Sequence, residues 1–317
     1  MAKFIAQRLV ETIPVVILAS LLVFAILHLI PGDPVDAMLG AAAFGIGSPE
    51  QRAQLAAEIN ADLGLNDPIA VQYIRWGWNA LHLDLGQSYI RHAPVAQLIA
   101  DRLPSTLELA GAALLLSVVL GIGLGIVAAL KRNTPIDGLV MVFSLGGVSI
   151  PSFAFALLLI LVFSVFLGLL PATGSGGLDR LVLPAVVLGY EGVGLLARLT
   201  RASLLEVMGL DYIRTARAKG LPGRTVVLRH AMRNALIPIV TIVGLQAGRL
   251  LAGSVIVETV FARQGIGQLA IDSILAKDYP VVQGVILLTA TAYVIANLLV
   301  DVSYGFLNPR MRQSRAA

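Results

Sequence analysis

The chain has 317 residues, of which 57% are hydrophobic and only 13% charged, with a net charge of +4 and a mean hydropathy of +0.85. A soluble domain carries roughly a quarter of its residues as charges, and one of this size has nowhere to hide so much apolar surface; a water-soluble globule is excluded, and the surplus faces lipid. With no cysteine present, disulfides, thiolate metal sites and cysteine nucleophiles are excluded as well.

In chain order, six windows reach the ~20 mostly apolar residues that cross a bilayer: roughly 9–30, 105–130, 138–168, 181–200, 235–257 and 281–306. Lys3 and Arg8 give the first window the flank of a signal peptide. Its run is long for that role and lacks a convincing cleavage site, so it is expected to remain as a span. The fourth is the weakest, being interrupted by Gly189, Glu191, Gly192 and Gly194. Pro151 and Pro238 are expected to mark helix boundaries or kinks.

Lys and Arg collect on the cytoplasmic side of membrane proteins. The N-terminus, 131–137, 198–234 and the C-terminus together hold fifteen of them, against seven in 31–104, 169–180 and 258–280. Both termini are therefore expected in the cytoplasm, in agreement with an even number of spans. The basic balance of the chain reads as topology rather than nucleic-acid binding. The expected units are a first span (1–30), an extracytoplasmic segment (31–104), a five-helix core (105–306) and a cytoplasmic tail (307–317). Within 31–104, eight carboxylates outnumber four basic residues. Ser48, Pro49 and Gln51 there read as the N-cap, N1 and N3 of an amphipathic helix. Tyr73, Trp76 and Trp78 read as anchors at the lipid headgroups. Residues 258–280 read as a short outer helix or a re-entrant element.

Catalytic signatures are missing. No Gly-Lys pair occurs, hence no Walker A motif, and there is no His-Glu-x-x-His, EF-hand loop or Gly-x-Ser-x-Gly elbow. Gly121, Gly123 and Gly125 lie inside an apolar span and read as close helix packing, not as a dinucleotide site. His82 and His92 share the outer segment; solvated or headgroup-facing histidines are favoured over a metal pair. No catalytic residue, cofactor or metal is thus expected in this chain. It moves solutes passively, uses an ion gradient, or borrows energy from a partner. Two charges sit inside spans, Glu191 and Arg249, and each costs a few kcal/mol in lipid. They pair or line the path of a zwitterionic solute, against the favoured reading of structural or near-interface charges that snorkel.

The longest cytoplasmic connection, 198–234, contains "DYIRTARAKGLPGRTVVLRHAMR". Arg214, Arg217, Lys219, Arg224, Arg229 and Arg233 surround the single carboxylate of Asp211, with His230 among them. Tyr212, Ile213 and Ala216 give an apolar stripe at helical spacing, and Gly220 suits the position just past a helix end. Bases that lie on lipid headgroups would explain the charge. The small residues Thr215, Ala216, Ala218 and Gly220, followed by the sharp Gly-Leu-Pro-Gly break, favour docking by another protein.

This stretch resembles the cytoplasmic coupling loop of ATP-binding-cassette importer permeases of the peptide and nickel branch. The general form of that loop is Glu-Ala-Ala, three residues, Gly, nine residues, then Ile-x-Leu-Pro. Setting its Gly on Gly220 puts the triplet on Arg214, Thr215 and Ala216, and the later Ile and Pro on His230 and Arg233. Those departures themselves resemble the peptide-permease version. Pieces along the whole chain do so too, in order: "PGDP" at 31–34, "LDLGQS" at 83–88, "RLPSTLEL" at 102–109, "GLQAG" at 244–248, "ETVF" at 258–261, "KDYPVVQG" at 277–284 and "NPR" at 308–310. Where the family tends to read Pro-Gly-Leu-Gly, this chain has Gln264-Gly265-Ile266-Gly267.

The resemblance implies an all-α type I importer permease of the bacterial inner membrane, with six transmembrane helices. Its partners would be a second similar permease, two cytoplasmic ATPases that bind ATP and Mg, and an extracytoplasmic binding protein. Asp211, Arg214, Thr215, Ala216, Arg217, Lys219 and Gly220 would form the ATPase-coupling interface. Short peptides are the first expected cargo, with nickel complexes, glutathione and sugars as alternatives and an ion-gradient transporter as the rival class.

Overall fold

The computed structural model describes residues 2–29, 50, 54, 57 and 66–307. Helices and connecting turns make up these residues, with no strand among them beyond an isolated bridge between Gln87 and Pro94. The elements are α1 (Ala2–Leu29), α2 (Ile69–Leu81), α3 (Val95–Leu130), α4 (Pro135–Ser149), α5 (Ser152–Leu159), α6 (Asp179–Met208), α7 (Asp211–Ala218), α8 (Met232–Val260), α9 (Ile266–Leu275) and α10 (Tyr279–Leu307). A π-helical stretch, Ile160–Phe166, extends α5, and a second, Val226–Ala231, leads into α8.

By length and composition, α3, α6, α8 with the turn that precedes it, and α10 each suffice to cross a membrane. The pair α4–α5 makes a fifth, and the described apolar stretch of α1, Val10–Ala25, is shorter. The third expected window is not one straight helix: α4 and α5 meet at 110°. Proline disfavours helical backbone in the residue before it, and Ile150 and Pro151 are both extended, with ψ of 122° and 135°. Pro238, by contrast, lies inside an unbroken α8.

The weakest expected span proves to be the central one. α6 is a continuous 30-residue helix, and 61% of its spanning window is buried inside the protein, against 33% for α3. A helix wrapped by other helices meets little lipid, so its wall needs small residues more than large apolar ones. A Cβ on Gly194 would lie 2.3 Å from the Ser144 carbonyl of α4. One on Gly125 of α3 would lie 2.5 Å from the Thr200 Cβ of α6. Gly121 is equally tight against Leu196, while Gly123 faces open space. The glycines of α3 at 121 and 125 are thus packing residues. Ser117 adds a polar stitch, its one hydroxyl proton shared between the carbonyls of Ala113 and Gly189, each 2.8 Å from Oγ.

Outside the core, α2 rests on α1. Tyr73 meets Phe24 edge-on and Trp76 meets it at a tilt, at centroid distances of 5.4 and 6.0 Å, and the Tyr73 and Ser20 hydroxyls are 2.8 Å apart. Only Trp78 of the three expected anchors remains exposed, beside His82. The helix expected from Ser48 lies outside the described residues, apart from Glu50, Gln54 and Ala57, which are helical.

Candidate functional site

Two places combine charge, exposure and a defined local fold: the corner after α6, and a cavity halfway along that helix. The corner begins where Gly209 and Leu210 end α6 and the extended backbone of Leu210 starts α7. Of α7, only Ile213 and Ala216 are buried. They close a core with Leu204 and Val207 of α6 and with Val226, Val227, Ala231, Met232 and Ala235. Burying an isoleucine side chain contributes roughly 1.5–3 kcal/mol, so α7 is fastened to α6 and to the base of α8. Tyr212 adds a polar tie by accepting from Asn234 Nδ2 at 2.8 Å.

The end of α7 is a Schellman turn: Gly220 N donates to Arg217 O at 2.9 Å and Leu221 N to Ala216 O at 3.4 Å. Gly220 sits at φ +74°, as the sequence leads one to expect of a residue just past a helix end, and its Cβ position is open space. Around this turn Arg214, Arg217, Lys219, Arg224, Arg229 and Arg233 are exposed. Asp211 and Arg214 are 3.6 Å apart and largely exposed, a pair that contributes little. The structure therefore changes one part of the expected docking surface. Ala216 is 7% exposed and faces its own core, leaving Thr215, Ala218 and Gly220 as the small residues on the outside. Just behind, Arg201 of α6 grips Asp137 of α4 in a bidentate pair of 2.6 and 2.7 Å, which ties those two helices together.

The cavity is about 520 Å³ in volume, walled by α4, α5, α6, α8 and α10. Glu191 and Arg249 both line it and pair across it, Nη2 to Oε1 at 2.7 Å, each more than half exposed. The two charges singled out within the spans thus meet. Gln246 joins the same wall. It is 7% exposed, donates to Ser117 Oγ at 3.3 Å, and its Oε1 has no partner.

A third cluster went unread in the sequence although its motif was noticed. Glu258, fully buried at the end of α8, accepts from Thr106 Oγ1, Gly267 N and Gln268 N at 2.7, 2.7 and 3.2 Å. It thereby caps α9. Arg263, also fully buried, bonds the Ser105 carbonyl and Glu108. A Cβ on Gly265 would lie 2.3 Å from the Glu258 carboxylate, which explains the glycine in Gln264-Gly265-Ile266-Gly267. Nearby, Asp278 accepts from Ser88 Oγ and Tyr89 N. Burial, and secondarily the Asp278 carboxylate, push the Tyr89 phenol up to about 12. His82 contacts the Trp78 carbonyl, and no cluster of three or more metal-binding side chains occurs among the described residues.

Residues 121–313 match the family described as binding-protein-dependent transport system inner membrane component, and residues 1–110 match the N-terminal component of the same systems. This chain belongs to that family. It is 41% identical to the dipeptide transport system permease protein DppB of Escherichia coli K12, over 99% of this chain and all of that one. It is 42% identical to the glutathione transport system permease protein GsiC of Escherichia coli O6:H1, over 98% and 99% of the two chains. Among solved structures, the inward-facing MetNI methionine ABC transporter superposes with a TM-score of 0.56 at 19% identity, over 67% of this chain and 97% of that one. At that identity the likeness speaks for the fold. The permease is an all-α, multi-pass inner-membrane protein of the ABC importer type, and the ion-gradient transporter is set aside.

Proposed function

We propose that this permease forms half of the translocation path for short peptides and is driven from its cytoplasmic side through α7. In this reading six helices cross the membrane with both termini in the cytoplasm. A second permease completes the path, a binding protein delivers cargo outside, and two ATPases supply the energy, since the chain carries no phosphate-binding motif of its own. The observation that carries it is the build of the corner. α7 is packed underneath, cationic on its free side and closed by a glycine turn, in a chain 41% identical to a dipeptide permease. Such a surface suits an acidic groove, where charge complementarity sets register.

The linkage is short. From Met208, next to α7, α6 runs unbroken to Glu191 in the cavity, roughly 26 Å at 1.5 Å per residue. A push on α7 is thereby delivered to the cavity wall. Because the chain has no cysteine, Thr215→Cys creates a unique thiol. The expected result is a cross-link to an ATPase subunit in membranes. Labelling of that thiol from the outside, or no ATPase among its cross-linked products, would overturn the assignment. The glutathione relative favours a tripeptide as a second cargo.

A further inference from the structure

The Glu191–Arg249 pair raises a question that a purely structural ion pair leaves unanswered. Both groups are more than half exposed, at 55% and 59%, and both open onto the cavity of about 520 Å³. A single contact holds them, Nη2 to Oε1 at 2.7 Å. One carboxylate oxygen and most of the guanidinium donors thus stay available, and a guanidinium is shaped to take a carboxylate through two parallel bonds. The volume falls within the roughly 300–1,000 Å³ typical of small-ligand sites.

A free short peptide is the mirror of this pair. Its carboxylate end matches Arg249 and its ammonium end matches Glu191. An extended dipeptide spans about 7 Å, so cargo replaces the direct contact by bridging the two side chains, and the charges stay compensated throughout. Separating the pair in an empty cavity would instead leave each charge without its partner. Gln246, on the same wall, is buried and its Oε1 has no partner. Gly192 leaves it room: a Cβ there would lie 1.6 Å from Gln246 Nε2.

We propose that Glu191 and Arg249 form a two-ended clamp for the free termini of short peptides, so that the permease itself selects zwitterionic cargo within its cavity. This rests on the reading of the cavity as part of a peptide path, and it places a selection step in this chain in addition to any in a binding protein.

The test uses the solubilised permease–ATPase complex without binding protein, and equilibrium dialysis with radiolabelled dialanine, N-acetyl-dialanine and dialanine amide. The expected result is measurable binding of dialanine, weakened about tenfold or more by either cap, as loss of a hydrogen bond to a charged group implies. Arg249→Gln should abolish the discrimination between acid and amide, and Glu191→Gln that between amine and N-acetyl amine. Three results would each overturn the clamp: no dialanine binding, equal binding of capped and free peptides, or variants that discriminate as the parent does. Uniform loss of all three ligands in both variants would assign the pair to structure and overturn it too. ATP-driven uptake of dialanine by the unmodified complex with its binding protein is measured in parallel. If that uptake is present while the clamp fails, the importer reading stands without the clamp.

Discussion

Gly220 separates two causes that are usually entangled in a glycine substitution. Its φ of +74° is a left-handed conformation, and its Cβ position meets nothing within 4 Å. A side chain there therefore strains the backbone without striking its own chain. The left-handed region costs an ordinary L residue roughly 1–2 kcal/mol, which lowers the population of the correct turn by about 5–30-fold. Asparagine tolerates this conformation and valine does not. In proteoliposomes holding the complete importer, Gly220→Val should reduce peptide uptake by about that factor or more, at unchanged membrane levels, while Gly220→Asn stays closer to the parent. Because a Cβ there meets no atom of the chain, a loss in Gly220→Asn as large as that in Gly220→Val would point to contact with a partner seated on the corner rather than to backbone strain. Parent-like uptake by Gly220→Val would refute the reasoning.

Ile213→Ala removes a fully buried side chain beneath α7 and should cost about 2–5 kcal/mol. The complex should go on hydrolysing ATP while the stimulation by loaded binding protein falls, and unchanged stimulation would count against α7 as the linkage. Arg201→Lys keeps the charge and discards the bidentate geometry toward Asp137, so the melting temperature of the purified complex should drop. A parent-like melt would show that the bidentate geometry is not what ties α4 to α6. Gly265→Ala should push the Glu258 carboxylate off the N-terminus of α9, losing charge-assisted bonds worth about 1.5–3 kcal/mol each. Gly123→Ala, whose Cβ meets no neighbour inside α3, is the control and should melt no lower than the parent does.

Lipid-facing helices were legible because the bilayer demands length and apolarity of them. The inner helix was harder to see. α6 reads as weak since Gly189, Gly192 and Gly194 serve contact with neighbours rather than with lipid. The end of α7 was legible to the residue, since only a few side chains suit a left-handed turn and Gly220 is one of them. The direction of Ala216 was not, because its spacing fits an outward small face and an inward stripe equally. Glu191 and Arg249 stood out by their cost in lipid, which made a pair one of the readings, but across a 58-residue separation only the fold could show that they meet. Glu258 and Arg263 gave less warning still. Both lie in a segment expected to be extracytoplasmic, where charge is ordinary, and only the fold reveals that they are fully buried.

That burial bears on how force would travel through the permease. At the corner the cations are exposed and nearly unpaired, free to follow a partner. At the far end of α8 the charges are enclosed: Glu258 holds α9 and Thr106 of α3, while Arg263 holds Ser105 and Glu108 of α3. Removing one partner from a buried charge costs about 3–5 kcal/mol, so α3, the end of α8 and α9 stay joined on that side during a transport cycle. Movement must then be taken up elsewhere. The 110° bend at Pro151 and the π-helical entry to α8 are places where regular helix is already interrupted, and α4–α5 borders the cavity proposed as the peptide path. Amide exchange locates the difference: the Gly267 and Gln268 amides bound by Glu258 should exchange among the slowest, and those around Ile150 and Val226–Ala231 faster. Fast exchange at Gly267 would mean that the enclosed end opens, and with it the view that motion begins at the corner and ends at the cavity would fail.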